Sequence, residues 1–243
     1  MLWCWIQHGE ARSSFQQKGA IFMCLVTFEG IDGSGKSTQA ALLREHLQDE
    51  GYDVLLVRDP GGTALSERVR RMLLDAAHDV NPMAELMLFC AARAQLVAER
   101  IRPALADGKI VLCDRFYDST TAYQGGGRAV APRTWLEDLH HHVTGGLVPA
   151  RTYWVHVAPS VAQKRRGNEE DRTEDRMEAE RNGFQARVAQ AYAQLAERHP
   201  HRICTLDGTA SVASIQAHIR DDMHRLLESE CGTAGSSAGS SDR

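Results

Sequence analysis

The sequence predicts an α/β fold in which a parallel sheet carries helices on both faces. Three observations point there. Five short runs, CLVTFE (24–29), DVLLV (53–57), KIVLC (109–113), TYWVHV (152–157) and RICTL (202–206), are apolar nearly throughout, as strands covered on both faces must be. Longer segments with helical periodicity alternate with them, the pattern of parallel strands joined by crossover helices. The 243 residues are enough for one sizeable core, and no internal repeat divides them.

Taken in order, residues 1–22 show no periodicity and read as an N-terminal extension, with Met23 offering an alternative start before the first strand. A glycine-rich loop then leads into a helix over 36–50. The second strand precedes a helix over 64–75, whose RVRRMLL segment puts apolar and basic residues on different sides. A long helix over 82–106 follows, which Pro103 is expected to end or bend. After the third strand, helices fall at 132–142, 159–166, 178–198 and 211–228. The histidines His140 to His142 lie in one of these helices and read as surface, not as a metal site. The closing SECGTAGSSAGSSDR (229–243) is too small and polar to bury a core and reads as a disordered tail.

Composition narrows the function classes. A net charge of -4 argues against a nucleic-acid-coating protein or a polybasic membrane binder. No uninterrupted apolar run is long enough to span a bilayer. The opening MLWCWIQHGE lacks the basic start and small-residue cleavage site of a signal peptide. Six scattered cysteines form no C-x-x-C pair, which argues against zinc or a redox pair and favours a cytoplasmic protein.

GIDGSGKS, Gly30 to Ser37, fits G-x-x-x-x-G-K-[ST] in full, between a strand and a helix. Its glycines let backbone N–H groups turn inward around phosphates. Lys36 adds charge at the β and γ phosphates, Ser37 offers a hydroxyl to Mg²⁺, and the helix start points its positive end at the same anions. The loop predicts a P-loop NTPase fold. Its candidate ATP-binding residues are Gly30, Ile31, Asp32, Gly33, Ser34, Gly35, Lys36, Ser37 and Thr38. GTPase switches, motors and small-molecule kinases share such a loop. The chain lacks the N-K-x-D segment by which switches read guanine, which counts against that reading.

Three further stretches supply a second pocket. RDPGGT (58–63) follows the second strand, at the sheet edge where ligands bind in open α/β folds; the alternative reading of this stretch is a tight turn and nothing more. In ELMLFCAARAQLV (85–97), Phe89 and Arg93 are four apart and share a helix face. Ring and guanidinium can stack on a base and bond its edge, or be a core Phe beside a surface Arg. CDRFYDSTTAYQGGGR (113–128) puts Asp114 at a strand end, as a Walker-B-type carboxylate for Mg²⁺, and Arg115 where it can clamp an acceptor phosphate. Thr120, Tyr123 and Gln124 add polar and aromatic groups before a glycine run expected to be flexible.

In order and spacing, FEGIDGSGKST, RDPGGT, FCAARAQL and DRFYDSTTAYQGGGR resemble the thymidylate kinase family over about residues 26–207. The resemblance implies a five-stranded parallel sheet, a homodimer, and transfer of the ATP γ-phosphate to dTMP with Mg²⁺, giving dTDP for dTTP synthesis. Adenylate and guanylate kinases are alternatives of the same class. Carried over by motif, Phe89 stacks on thymine, Arg93 bonds its carbonyl edge, and Thr120 and Gln124 lie near the base. Tyr123 packs where a ribose 2′-OH would sit. Asp32 meets the sugar 3′-OH and the metal region, Asp59 lies in the dTMP site, and Arg70 and Arg115 hold the dTMP phosphate. Ser37, Asp32 and Asp114 are the implied metal contacts.

Some family members carry a catalytic arginine in the P-loop, where this chain has Gly33 and Ser34. The resemblance then places it in a mobile lid, QKRRGNEEDRTEDRMEAE (163–180), whose DRME matches the family signature. Arg165, Arg166, Arg172 and Arg176 are candidates, and Arg166 and Arg172 join Lys36 and Arg115 in the expected catalytic set. The other reading of this segment is a solvated charged loop. Two departures stand out: Asp59 replaces the family's usual Glu, and the lid is longer than in many relatives.

Overall fold

A computed structural model describes residues 24–75, 77, 79–167 and 182–233. The N-terminal extension, most of the lid segment and the last ten residues lie outside the described residues. Five strands, β1 (Leu25–Glu29), β2 (Val54–Arg58), β3 (Ile110–Asp114), β4 (Arg151–His156) and β5 (Ile203–Asp207), form one sheet in the order β2-β3-β1-β4-β5. Every pairing is parallel. The helices are α1 (Lys36–Asp49), α2 (Ala64–Leu74), α3 (Pro82–Leu96), α4 (Arg102–Ala106), α5 (Tyr117–Thr120), α6 (Arg133–Thr144), α7 (Pro159–Gly167), α8 (Asn182–Arg198) and α9 (Val212–Thr233).

Alternation along β1 sets up the two faces. Leu25 joins Val57, Leu96, Ile101, Val111, Cys113 and Phe116 on one side. Val26 and Phe28 join Leu43, Leu47, Ile219 and Met223 on the other, so α1 and α9 cover that face. All five strands being parallel, the loops after β1, β2 and β3 leave the same edge of the sheet, and the order β2-β3-β1 makes them neighbours. The P-loop, RDPGGT and the segment after Asp114 are those three loops.

Local chemistry fixes several boundaries. Thr63 caps α2 by accepting from the Ser66 N–H, and Asn81 caps α3 by accepting from the Met83 N–H, with Pro82 at the first helical position. The helical run expected over 82–106 ends at Ala106, and its regular α-helical part is interrupted just before Pro103. The chain widens into a π-helical turn over Val97–Ile101, and Pro103 sits in the first turn of α4, where its missing N–H costs little. Thr121–Gly127 forms a second π-helical segment in place of a flexible glycine run. Its glycines serve close packing: a Cβ at Gly127 would lie 2.5 Å from the Phe184 ring, and one at Gly126 2.4 Å from Ala191 Cβ. His140 is buried, contrary to the surface reading. It stacks on Tyr117 and its Nε2 meets Thr121 Oγ1 at 2.9 Å, while His141 and His142 are exposed. The last helix runs to Thr233, past the expected end at 228. Among the described residues no helix is long and apolar enough to cross a membrane.

Candidate active site

The loop after β1 turns through left-handed glycines. Gly30 has φ 143°, and a Cβ there would lie 2.5 Å from the Val155 carbonyl oxygen. Gly35, at φ 101°, opens α1, so that Lys36 and Ser37 form its first turn. Lys36 Nζ donates to Asp32 Oδ1 at 3.1 Å, and Arg115 Nη2 donates to the same oxygen at 2.7 Å. Burial alone would raise the Asp32 carboxyl, but the two cations and their hydrogen bonds hold it well below the ordinary carboxylate range. One oxygen of Asp32 therefore holds Lys36 and Arg115 together.

Arg115 is the centre of this corner. Its backbone has φ 71°, an uncommon conformation for a residue with a Cβ. Its guanidinium also reaches Ser119 Oγ at 3.1 Å and the Tyr123 hydroxyl at 3.3 Å, and its Cζ lies 5.1 Å from the Tyr123 ring centroid. Beside it, Ser37 Oγ donates to Asp114 Oδ2 at 2.5 Å, while Asp114 Oδ1 is buried with no partner among the described residues. A hydroxyl next to a carboxylate with spare capacity is the hard-oxygen donor set that Mg²⁺ takes, so the residues fit that ion.

The second pocket is built on Arg93, which is 1 % exposed and not the surface arginine of the bland reading. Its Nε donates to Asp59 Oδ2 at 2.5 Å and its Nη2 to Thr120 Oγ1 at 2.8 Å. Nη1 is left with no hydrogen-bond partner among the described residues. Asp59, expected in the dTMP site, is itself buried and serves to hold Arg93. Gln124, also buried, donates to Glu85 Oε1 at 2.8 Å, and Arg128 clamps both oxygens of Glu85 at 2.7 and 3.1 Å. Phe89 is half-buried against Val69, Leu73 and Ala92. Arg70 donates to the Pro60 carbonyl at 3.3 Å, which places it on the RDPGGT loop.

Arg165 donates to the carbonyls of Ser34 and Gly208, at 3.4 and 2.8 Å, and so ties α7 to the P-loop. The Arg166 side chain, Arg172 and Arg176 lie outside the described residues.

Sequence reasoning missed Glu29. It is buried and accepts from the Phe116 N–H at 2.8 Å, Ser119 Oγ at 2.5 Å and the Tyr192 hydroxyl at 2.8 Å. Burial, then the nearby Asp118 charge, push its carboxyl up to about 7 against the pull of Arg115. The signal was available: alternation puts Glu29 on the face of Leu25, which is covered. Glu85, Tyr192 and the Asp118–Arg202 pair, bonded at 2.6 and 3.0 Å, carried no comparable signal.

A phosphate cradle with two cations on one oxygen, beside a buried cluster of Arg93, Asp59 and Thr120, is the arrangement of a P-loop phosphotransferase. The thymidylate kinase family model matches residues 28–219. A thymidylate kinase of Chlorobium luteolum is 44% identical over 202 residues, covering 80% of this chain and 94% of its own. One of Gloeobacter violaceus is 45% identical over 202 residues, covering 83% and 95%. The crystal structure of thymidylate kinase from Ehrlichia chaffeensis matches with a TM-score of 0.68 at 32% identity, covering 83% of this chain and 98% of its own. The chain belongs to the thymidylate kinase family, and it is an enzyme of the kinase class with the P-loop fold.

Proposed function

We propose that the chain transfers the γ-phosphoryl group of ATP to dTMP, giving dTDP and ADP on the way to dTTP. Family membership supports this reading, and the observation that carries it is the Arg93 guanidinium. It projects from α3 and is fixed by Asp59 and Thr120, from the segments after β2 and β3 that neighbour the phosphate cradle, with Nη1 unspent among the described residues.

Phe89 offers a ring to stack on thymine, Arg93 bonds its carbonyl edge, and Thr120 and Gln124 border the base. Tyr123 fills the space beside the sugar, and Arg70 and Arg115 hold the acceptor phosphate. An ionised oxygen of the dTMP phosphate attacks the γ-phosphorus of ATP. The bond from that phosphorus to the β,γ-bridging oxygen breaks, and its electrons leave with ADP. No protein nucleophile or strong base is needed. Lys36 and Arg115 offset the charge spread over the transferred group and keep donor and acceptor in line. Mg²⁺, held by Ser37 and Asp114, would add positive charge across the donor phosphates. Arg166 or Arg172 supplies a further cation from segment 163–180.

A homodimer is part of the proposal. Leu65 and Met72 on α2, Met83 and Met87 on α3, and Trp135 on α6 are large apolar residues left exposed. α3 packs on both α2 and α6, so these residues can share one face. The expected setting is the cytoplasm, with no nucleic-acid or membrane partner.

The test offers dTMP, dUMP, UMP, dGMP and AMP separately with ATP and Mg²⁺ and follows ADP release. Strong turnover with dTMP and weak turnover with UMP supports the proposal. Preference for another monophosphate overturns the base pocket, and ADP release independent of every acceptor overturns the kinase reading.

A further inference from the structure

On the face of the protein away from the phosphate cradle, three donor atoms converge. His46 Nε2 lies 3.3 Å from His224 Nε2 and 3.4 Å from Glu50 Oε1, and His224 Nε2 lies 3.1 Å from the same Glu50 oxygen. His46 and Glu50 are one turn apart at the end of α1, so both project from one side of it. His224 comes from α9, which packs on α1. The two imidazole rings lie nearly parallel, 17° apart, with centroids 5.5 Å apart.

Hydrogen bonding alone does not account for this triangle. If both Nε2 atoms carry protons, both donate to Glu50, and the two protons face each other across the His–His contact. If one ring carries its proton on Nδ1, its Nε2 lone pair accepts from the other ring but then confronts the carboxylate. Every tautomer leaves one edge repulsive. A cation at the centre takes a lone pair from all three atoms. Zinc binds imidazole nitrogen and carboxylate oxygen at about 2.0–2.2 Å, and donors at the corners of such a tetrahedron stand about 3.3–3.6 Å apart. The observed separations of 3.1, 3.3 and 3.4 Å are close to that spacing before any ion has drawn the side chains in.

We propose that His46, Glu50 and His224 form a surface site for a borderline divalent transition metal, zinc foremost, which clips α9 onto α1. Two imidazoles and one carboxylate suit zinc, nickel or copper better than magnesium or calcium, which prefer all-oxygen sites. The three side chains are 18 %, 33 % and 45 % exposed, in the order His46, Glu50, His224, so the fourth position is open to water. Two further charges bear on His46: Arg220 opposes a cation and Asp49 favours it. Partial burial and Arg220 favour the neutral His46 ring, the form that ligates a metal. The site is distinct from the Ser37–Asp114 pair, since His46 lies ten residues along α1 from Lys36, about 15 Å of helix. Its effect is therefore on stability: a metal bound only by the folded chain raises the melting temperature in proportion to the logarithm of its free concentration.

The test uses the full chain without a histidine tag, stripped by a chelator and free of nucleotide. ZnCl₂ is titrated by calorimetry, and the melting temperature is followed with and without the metal. The expected results are one zinc per chain and a rise in melting temperature. His224→Ala weakens binding at least tenfold and removes the rise, while Mg²⁺-dependent kinase turnover stays at the wild-type level and shows that the variant is folded. Glu50→Gln weakens binding less, and Asp114→Asn leaves zinc affinity unchanged. Binding as tight in His224→Ala as in the wild type, or no binding by the wild type, overturns the proposal.

Discussion

Arg93 donates its Nε–H to Asp59 Oδ2 across 2.5 Å in a place where neither side chain meets solvent. A buried charge pair contributes little net stability when intact, but removing one partner strands the other, at about 3–5 kcal/mol. Asp59→Ala is therefore expected to lower the unfolding free energy by about 3 kcal/mol or more. It should also raise KM for dTMP more than KM for ATP, because Arg93 loses the partner that aims its fork. Denaturant midpoints and the two KM values check this. Equal changes in both KM values would remove Asp59 from the positioning of Arg93.

Lys36 stands at the first turn of α1 and points at the oxygen that Arg115 also holds. Lys36→Ala is expected to lower kcat by at least about 10²- to 10³-fold, the usual cost of removing one preorganised donor to developing charge. Steady-state kinetics with saturating ATP and dTMP measures it. A near-normal kcat contradicts the assignment of the phosphate cradle.

Tyr123 is buried with its hydroxyl 3.3 Å from Arg115. If its ring fills the space of a 2′-hydroxyl, Tyr123→Ala narrows the dTMP-to-UMP ratio of kcat/KM by about tenfold or more. Tyr123→Phe keeps the ring and most of the discrimination while loosening Arg115. A ratio that does not move in the alanine variant takes Tyr123 out of the sugar site.

Glu29 ionises at about 7 in the folded chain against an ordinary value of 4.5. The folded state then holds a proton that the unfolded chain has released. The stability this group contributes is complete below pH 4.5, falls as pH rises towards 7, and is level above. The slope is at most about 1.4 kcal/mol per pH unit. Urea unfolding at intervals from pH 4.5 to 8 should show this decline, and Glu29→Gln should flatten it. A variant with the wild-type slope would show that Glu29 does not titrate in this range.

Arg172→Ala should lower kcat more than it weakens dTMP binding, as removal of a group acting on the transition state does. If Arg166→Ala does so and Arg172→Ala does not, the added cation is Arg166.

Much of the fold was legible because its signals are local. Strands covered on both faces cannot hide their apolar runs, and GIDGSGKS needs its glycines at Gly30 and Gly35, where φ is positive. The motifs also named residues that the structure brings into contact, such as Ser37 with Asp114 and Arg93 with Thr120. What escaped depends on packing between distant segments. Nothing near Asp59 says that it is spent on Arg93, 34 residues on. The glycine run 125–127 reads as flexible until α8 is laid against Gly126 and Gly127, and His140 reads as surface until Tyr117 stacks on it. The π-helical turn over Val97–Ile101, just before Pro103, is likewise a detail that the local sequence does not specify.

The central claim is that the γ-phosphoryl group of ATP passes to dTMP. The most direct measurement supplies ATP labelled in its γ-phosphate, with Mg²⁺ and dTMP, and follows where the label goes. The account predicts label in the β-phosphate of dTDP, formed in step with ADP and lost in Lys36→Ala. Label recovered as inorganic phosphate at the same rate with or without dTMP would contradict it.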